Sequence, residues 1–410
     1  MTSTSHRSEQ NLEQATAAFH AKLDELQFRG NLDDSKFVVL DQDGYGFGAQ
    51  FERRALGLQL AYMFDRTAIF VNEHNHPYTP CFEPTSQYTY KDIEHLPQEN
   101  LDFTTNQTAK VAFFDFDSFW QNPEISRPIY DWVPPDLAFL ENTHEGERNW
   151  LDLGFKTFGP ARRYMEGQIL SRFSYLPAYA TKIEEIKKRI GFQSPIIGAH
   201  IRRGDKYVET PYLPIRRYHA EILRAVEETG INRVFVTSDD PEVFANLPDQ
   251  DNIKYIFDDE EPRYNNANHV LLNNNPELAS QETLTGLKIY ELLSNCDVIV
   301  GQNNAHLTLL AIARNAARHP QGRNFRLTRG DYTMRFGHAD PRDWGDVLSF
   351  KLRRSRRAAK DLRKRIRSLK RAAAQTPRGR ELQVAVRNHK YSHRGGLHSR
   401  SIEHSPNKKR

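Results

Sequence analysis

The sequence predicts an α/β protein built from two domains, each a largely parallel sheet wrapped by helices. Three observations carry this. Short apolar, β-branched runs alternate with helix-periodic runs twice along the chain, over 37–71 and again over 179–316. Four of the strand runs end in a polar or glycine-rich cluster, where open parallel sheets bind their ligands. The length, 410 residues, suffices for two or three domains of ordinary size.

Taken in order, residues 8–27 read as an amphipathic helix with Leu12, Ala15, Phe19, Leu23 and Leu26 on one face. FVVLDQ (37–42) is a buried strand, the glycine-rich GYGFGAQ (44–50) a turn, FERRALGLQLAYMF (51–64) a helix and TAIFV (67–71) a second strand. The aromatic, proline-rich middle, 100–165, shows no readable period. Regularity returns with a helix at 179–192 that ends near Gly191, then the strand PIIGAHI (195–201). A helix at 216–230, a strand at 233–240, a helix at 283–295, a strand at 296–302 and a helix at 304–316 follow. This second alternation predicts a doubly wound domain. The expected boundaries are an N-terminal helical segment at 1–30, a first α/β domain at 31–180, a second at 181–345 and a tail at 346–410.

The net charge of +4 hides a strong asymmetry. Residues 351–410 hold 21 Lys and Arg against 3 Asp and Glu, while 1–350 hold 36 against 50. An acidic body thus carries a basic tail. In 351–374, Leu352, Ala359, Leu362, Ile366, Leu369 and Ala373 recur at helical spacing, a narrow apolar stripe on a cationic rod. A solvated, partly disordered tail is the plain alternative, and docking on an anionic membrane surface the leading functional one. The acidic body opposes nucleic-acid binding, which needs cations where a folded domain meets phosphate. The two cysteines, Cys81 and Cys296, form no framework, and Cys296 reads as a small core residue. The polar start MTSTSHRSEQ lacks an export signal and no run of about eighteen apolar residues occurs, so the expected location is cytoplasmic. The sequon at Asn106 is then idle.

The stretch IIGAHIRRGDK (196–206) asks why a buried strand should end in Arg202, Arg203, Asp205 and Lys206. An arginine pair is ordinarily a solvated surface feature, but charge beside buried apolar groups is costly without a partner. Guanidinium groups suit a diphosphate, being planar donors with permanent charge. A glycine turn and helix N-termini add backbone N–H groups to such an anion site. GYGFGAQ alone fits neither the dinucleotide fingerprint nor the P-loop and could be a simple tight turn. Asp239 and Asp240 could cap a helix starting at Pro241 or serve the site. The residues themselves lead to an enzyme handling a nucleotide diphosphate between two α/β domains.

At these residues the sequence resembles the α1,6-fucosyltransferases. The family's H-x-R-R-x-D stands as His200-Ile201-Arg202-Arg203-Gly204-Asp205, followed by Lys206. GYGFGAQ, HPYTPCFEP (76–84), IEEIKKRIGFQSPIIGAHIRRGDK (183–206), VFVTSDDP (234–241) and LLSNCDVIVGQ (292–302) resemble its other motifs in the same order, over about 37–316. H-x-R-R-x-D is shared with α1,2-fucosyltransferases. Lys206, the form of the glycine loop and the Asp-Asp-Pro favour the α1,6 side.

The resemblance implies two Rossmann-like domains facing a cleft in a GT-B-like arrangement. The first lies on the acceptor side, the second binds the GDP-sugar, and GDP-β-L-fucose is used without a metal or other cofactor. It further implies that Arg202 grips the β-phosphate with Arg203 in support, and that Gly46, Phe47, Gly48 and Ala49 line the diphosphate with backbone donors. His200 and Tyr78 are implied at the guanosine end. Glu209 becomes the candidate base, tuned by Lys206 and Asp205, although the family's glutamate stands one residue farther from its lysine. Glu291 or Tyr290 replaces a donor-contacting aspartate, and Asn304 stands where the core enzyme has serine. The implied reaction is inverting transfer of fucose to an oligosaccharide, α1,6 to GlcNAc, with the acceptor lipid-linked in one version. An α1,2 linkage, a nucleic-acid-binding protein acting through its tail, and a metal site from His74, His76 and Cys81 are the alternatives. The RGD at 203–205 needs an exposed extracellular loop to serve adhesion and is set aside.

Overall fold

A computed structural model of the chain describes residues 2–41, 46–71, 78–103, 109–142, 159–204, 212–248, 252–262, 272, 275–320 and 325–328. The chain divides into two units, residues 1–339 and 340–410, and everything described lies in the first. The basic stripe at 351–374 and the sequon at Asn106 fall outside the described residues.

Helix α1 (Thr2–Gln27) precedes strand β1 (Phe37–Asp41), helix α2 (Phe47–Phe64) and strand β2 (Thr67–Val71). Leu12, Phe19, Leu23 and Leu26 of α1 are buried, as their spacing predicts. After helix α3 (Tyr90–Ile93) come strands β3 (Gln98–Asn100) and β4 (Val111–Phe114), then helices α4 (Phe116–Gln121) and α5 (Pro123–Tyr130) and a 3-10 segment at Pro135–Asn142. The four strands form one parallel sheet in the order β2-β1-β4-β3. Alternation along β1 gives each face its core. Phe37 and Val39 meet Ile69, Val71, Ile93 and Val111, whereas Val38 and Leu40 face the larger core under α2.

Helices α6 (Pro160–Leu170) and α7 (Pro177–Arg189) lead into the second sheet. It contains β5 (Ile197–Ile201), helix α8 (Ile215–Thr229), β6 (Arg233–Ser238), helix α9 (Glu242–Ala245), β7 (Lys254–Ile256), helix α10 (Pro276–Ser294), β8 (Val298–Gln302), helix α11 (His306–Arg318) and β9 (Phe325–Thr328). Its order, β7-β6-β5-β8-β9, is wholly parallel. The chain winds outward from β5 through β6 to β7, then returns to build β8 and β9 on the other side. That reversal puts a topological switch point between β5 and β8, where the crossovers diverge and leave a crevice.

Residues expected to form two separate domains share one core. The largest apolar cluster joins α1, α2, β1, β4, α6, α7, α10 and α11. Its joint is α6, whose eleven residues are all buried although four are Arg162, Arg163, Glu166 and Gln168. Arg162 Nε donates to the Tyr130 carbonyl at 2.8 Å, and the Arg163 guanidinium lies over the Phe325 ring. Helices α6 and α11 cross so closely at Gly167 that a Cβ there would run into the Ala313 carbonyl. Under α10, Lys288 Nζ binds Asp258 at 2.6 Å and Glu261 at 2.5 Å, and Arg189 also reaches Asp258 at 2.7 Å. Three side chains of this knot are almost wholly buried. Cys296 is buried with its thiol on the Leu292 carbonyl, in keeping with a small core residue. Among the described residues no helix is long and apolar enough to cross a membrane.

Candidate active site

Strand β5 is buried over its whole length, and its chain leaves the sheet at Arg202. Two acidic residues at the end of the neighbouring β6 meet the two arginines. Arg202 pairs with Asp239, and Arg203 Nε donates to Asp240 Oδ2 at 2.7 Å. Asp239 Oδ1 also accepts the Arg203 backbone N–H at 2.8 Å. The guanidinium of Arg203 stacks on the Tyr212 ring, 4.5 Å from its centroid. Side-chain exposures of 29% for Arg202 and 17% for Arg203 keep both out of bulk water yet reachable from the sheet's carboxyl edge.

Gly204 makes this possible. Its φ of +28° lies on the left-handed side, and a Cβ would collide with the Asp239 carboxylate and stand 2.9 Å from Arg202 Nη1. Asp240 accepts the Glu242 N–H at 3.0 Å while holding Arg203, and the short helix begins one residue later than expected, at Glu242 with Pro241 as its N-cap.

His200, the residue before the last of β5, is 3% exposed, and its Nδ1 lies 2.8 Å from Thr308 Oγ1 on the first turn of α11. That turn is the hub of the site. Gly48, on the first turn of α2, comes so near that a Cβ would stand 3.0 Å from His306 Cβ and 3.1 Å from the Leu307 nitrogen. The N-termini of α2 and α11 therefore converge beside the end of β5, and their positive dipole ends and unsatisfied N–H groups add to the two guanidiniums. Gly46 is the N-cap of α2. Phe47 packs on α10 at Gly286, where a Cβ would collide with its ring, and edge-on to Tyr78 at 5.5 Å. Asn304, at 9% exposure, lies between β8 and α11.

The structure thus links His200 and Gly48 to the first turn of α11 and Phe47 to Tyr78, while Arg202 and Arg203 are held at the end of the adjoining β6 by Asp239 and Asp240. It does not bring Glu291 to them. The Glu291 carboxylate accepts from Tyr175 at 2.8 Å and Asn295 at 2.7 Å and pairs with Arg318 at the far end of α11. One helix length separates it from His306, so its work is to tie helix ends on the opposite edge of the sheet. Tyr290 is buried edge-on against Phe51. Asp205, Lys206, Glu209, His74 and His76 lie outside the described residues. Among the described residues, no group of three His, Cys, Asp or Glu side chains could hold a metal ion.

Sequence reasoning missed a second charged cluster behind the hub. His306 Nδ1 lies 2.6 Å from Glu52 Oε2. Burial alone would push the Glu52 carboxyl up, but His306, Arg162 and Arg53 together hold it below the usual range. Glu166, facing the same pair from α6, goes the other way: burial pushes its carboxyl up to about 7, with Glu52 adding to the rise and Arg162 and His306 opposing it. The helix-spaced Glu52 and the helix-opening His306 carry no motif that would have marked them.

Residues 157–301 match the family model of alpha-(1,6)-fucosyltransferase N- and catalytic domains. This span runs through α6, β5 with its arginine pair, β6 and most of β8. Among solved structures, NodZ alpha-1,6-fucosyltransferase co-crystallized with GDP aligns at 14% identity and a TM-score of 0.37, covering 68% of this chain and 92% of that one. Fucosyltransferase NodZ from Bradyrhizobium gives 14% and 0.35, with coverages of 68% and 93%. POFUT1 in complex with GDP-fucose gives 14% and 0.36, with 72% and 96%. At these scores the likenesses place no residue on another and carry no argument. By the family model, residues 157–301 of the chain are similar to the alpha-(1,6)-fucosyltransferase catalytic region.

Proposed function

We propose that the protein transfers L-fucose from GDP-β-L-fucose to a hydroxyl of an oligosaccharide, with inversion, forming an α1,6 link to GlcNAc. The observation that carries this reading is the arginine pair at the end of β5, inside the family-matched span and at the switch point of a parallel sheet. Breaking the bond between fucose C1 and the phosphate oxygen builds negative charge on departing GDP. Fixed cations at that oxygen favour the transition state over the ground state.

In this reading Arg202 exchanges Asp239 for the β-phosphate, while Arg203, held by Asp240 and Tyr212, keeps the strand end in place. Gly46, Phe47, Gly48 and Ala49 bring the α2 N-terminus to the diphosphate. His200 is braced by Thr308 toward the nucleoside end, near Tyr78. The charge is supplied by guanidinium groups and helix termini, and the reading requires no metal ion. Glu209 is the proposed base that takes the acceptor proton, with Lys206 and Asp205 beside it in sequence.

The test is incubation of the full chain with GDP-fucose and an array of GlcNAc-terminated oligosaccharides, with products read by mass spectrometry and linkage analysis. A fucosylated product with a new α1,6 bond is expected. Transfer from another nucleotide sugar in place of GDP-fucose would overturn the reading, and an α1,2 product would overturn the linkage.

A further inference from the structure

The Glu52–His306 pair lies outside the family-matched span, yet it occupies the point where the two halves of the site meet. His306 opens α11, and Glu52 lies one turn beyond Gly48 on the same face of α2. The Cβ position of Gly48 would touch His306 Cβ at 3.0 Å, so the imidazole sits against the first turn of α2. Two residues further along α11, Thr308 holds His200 of β5. The first turn of α11 therefore meets the first turn of α2 through His306 and the end of the strand carrying Arg202 through Thr308.

Two features set it apart from a buried structural pair. The His306 side chain is 47% exposed, so a ligand can reach it, while the Glu52 carboxylate, 30% exposed, holds its Nδ1 at 2.6 Å. A carboxylate at that distance orients the ring and favours the imidazolium. An imidazolium at the first residue of a helix runs against the helix dipole, which favours anions there. The unfavourable placement is offset when an anionic ligand binds at the same turn.

We infer that His306, oriented by Glu52, is a third contact for the donor's diphosphate in its imidazolium form, so that donor binding favours protonation of this ring. This rests on the proposed use of a GDP-sugar. The charged groups facing the ring are Glu52 and Arg53 from α2 and Arg162 and Glu166 from α6, with Tyr130 beyond them and His200 behind Thr308. Of these, Glu166 also titrates near neutrality, so it is controlled separately.

The experiment is isothermal titration of the full chain with GDP at pH values from about 6.5 to 8.5, using wild type, His306→Gln, Glu52→Gln, Glu166→Gln and Arg202→Ala. Taking the ratio of dissociation constants between variant and wild type cancels the ligand's own titration. For His306→Gln the ratio should be about tenfold at the acid end, the size of one charge-assisted hydrogen bond, and fall toward one at the alkaline end. Glu52→Gln should move that fall to lower pH, which loss of a purely structural clasp would not do. Glu166→Gln should leave the fall in place. A pH-independent ratio for His306→Gln, or none at all, overturns the inference. If Arg202→Ala still weakens GDP binding in that case, the donor reading survives alone; if wild type binds no GDP, both fall.

Discussion

Gly167→Ala probes the joint on which the site's assembly depends. In an isolated helix the substitution would help, since alanine is better than glycine by about 1 kcal/mol in a helix interior. Here the new methyl would collide with the Ala313 carbonyl oxygen and stand 2.7 Å from its carbon and 2.8 Å from Ala317 Cβ. Ordinary carbon contacts need about 3.5–4 Å, so α6 and α11 must separate by roughly 1 Å. None of the obstructing atoms is the end of a flexible side chain, so relief requires backbone movement. Overpacking of this kind costs about 1–3 kcal/mol or somewhat more, which exceeds the helix gain. The net expectation is a loss of up to about 2 kcal/mol and a thermal midpoint lower by up to about 3 °C in a body of this size. Because α11 carries His306 and Thr308, GDP affinity should fall with it. Circular dichroism melting of Gly167→Ala beside Gly30→Ala, where a Cβ meets nothing within 4 Å, checks this. An unchanged or raised midpoint for Gly167→Ala would refute the packing argument.

Two further expectations concern buried charge. Glu166 has its carboxyl raised from 4.5 to about 7, so the folded protein binds more protons than the unfolded chain between these values, and stability falls as pH rises through that window. The loss is about 3 kcal/mol at most, complete above neutrality. Glu166→Gln should flatten urea-derived stability between pH 5 and 7 and exceed wild type at pH 8; parallel pH curves would contradict it. Lys288→Met should cost about 3–5 kcal/mol by stranding Glu261 and weakening the hold on Asp258, whereas a surface pair such as Lys187–Glu184 is worth under about 1 kcal/mol. A loss below about 1 kcal/mol on urea unfolding would show the knot to be dispensable.

Much of the second sheet was legible because its strands are apolar runs with abrupt ends. PIIGAHI, RVFVTS and CDVIVGQ became β5, β6 and β8, and the charged cluster after β5 marked the crevice before any topology was known. The first half was partly legible: β1, α2 and β2 emerged, but the short β3 and β4 were lost among aromatics and prolines. Helix α6 could not be read at all. Its buried face includes two arginines, a glutamate and a glutamine, so the amphipathic period that betrays a helix is absent. Missing α6 also hid the shared core, which is why two separate domains were expected. Glu291 was misplaced because the sequence does not show which end of its helix meets the crevice, and it lies near the C-terminal end, on Tyr175, Asn295 and Arg318. It fell to the edge of the sheet opposite the crevice.

The central claim is that Arg202 holds the terminal phosphate of a guanosine diphosphate. Titrating GDP and GMP into wild type and Arg202→Ala measures it directly. Wild type should prefer GDP by about 10- to 100-fold, the worth of a charge-assisted contact to the extra phosphate, and the variant should lose most of that preference. A variant that keeps the wild-type preference for GDP would contradict the account.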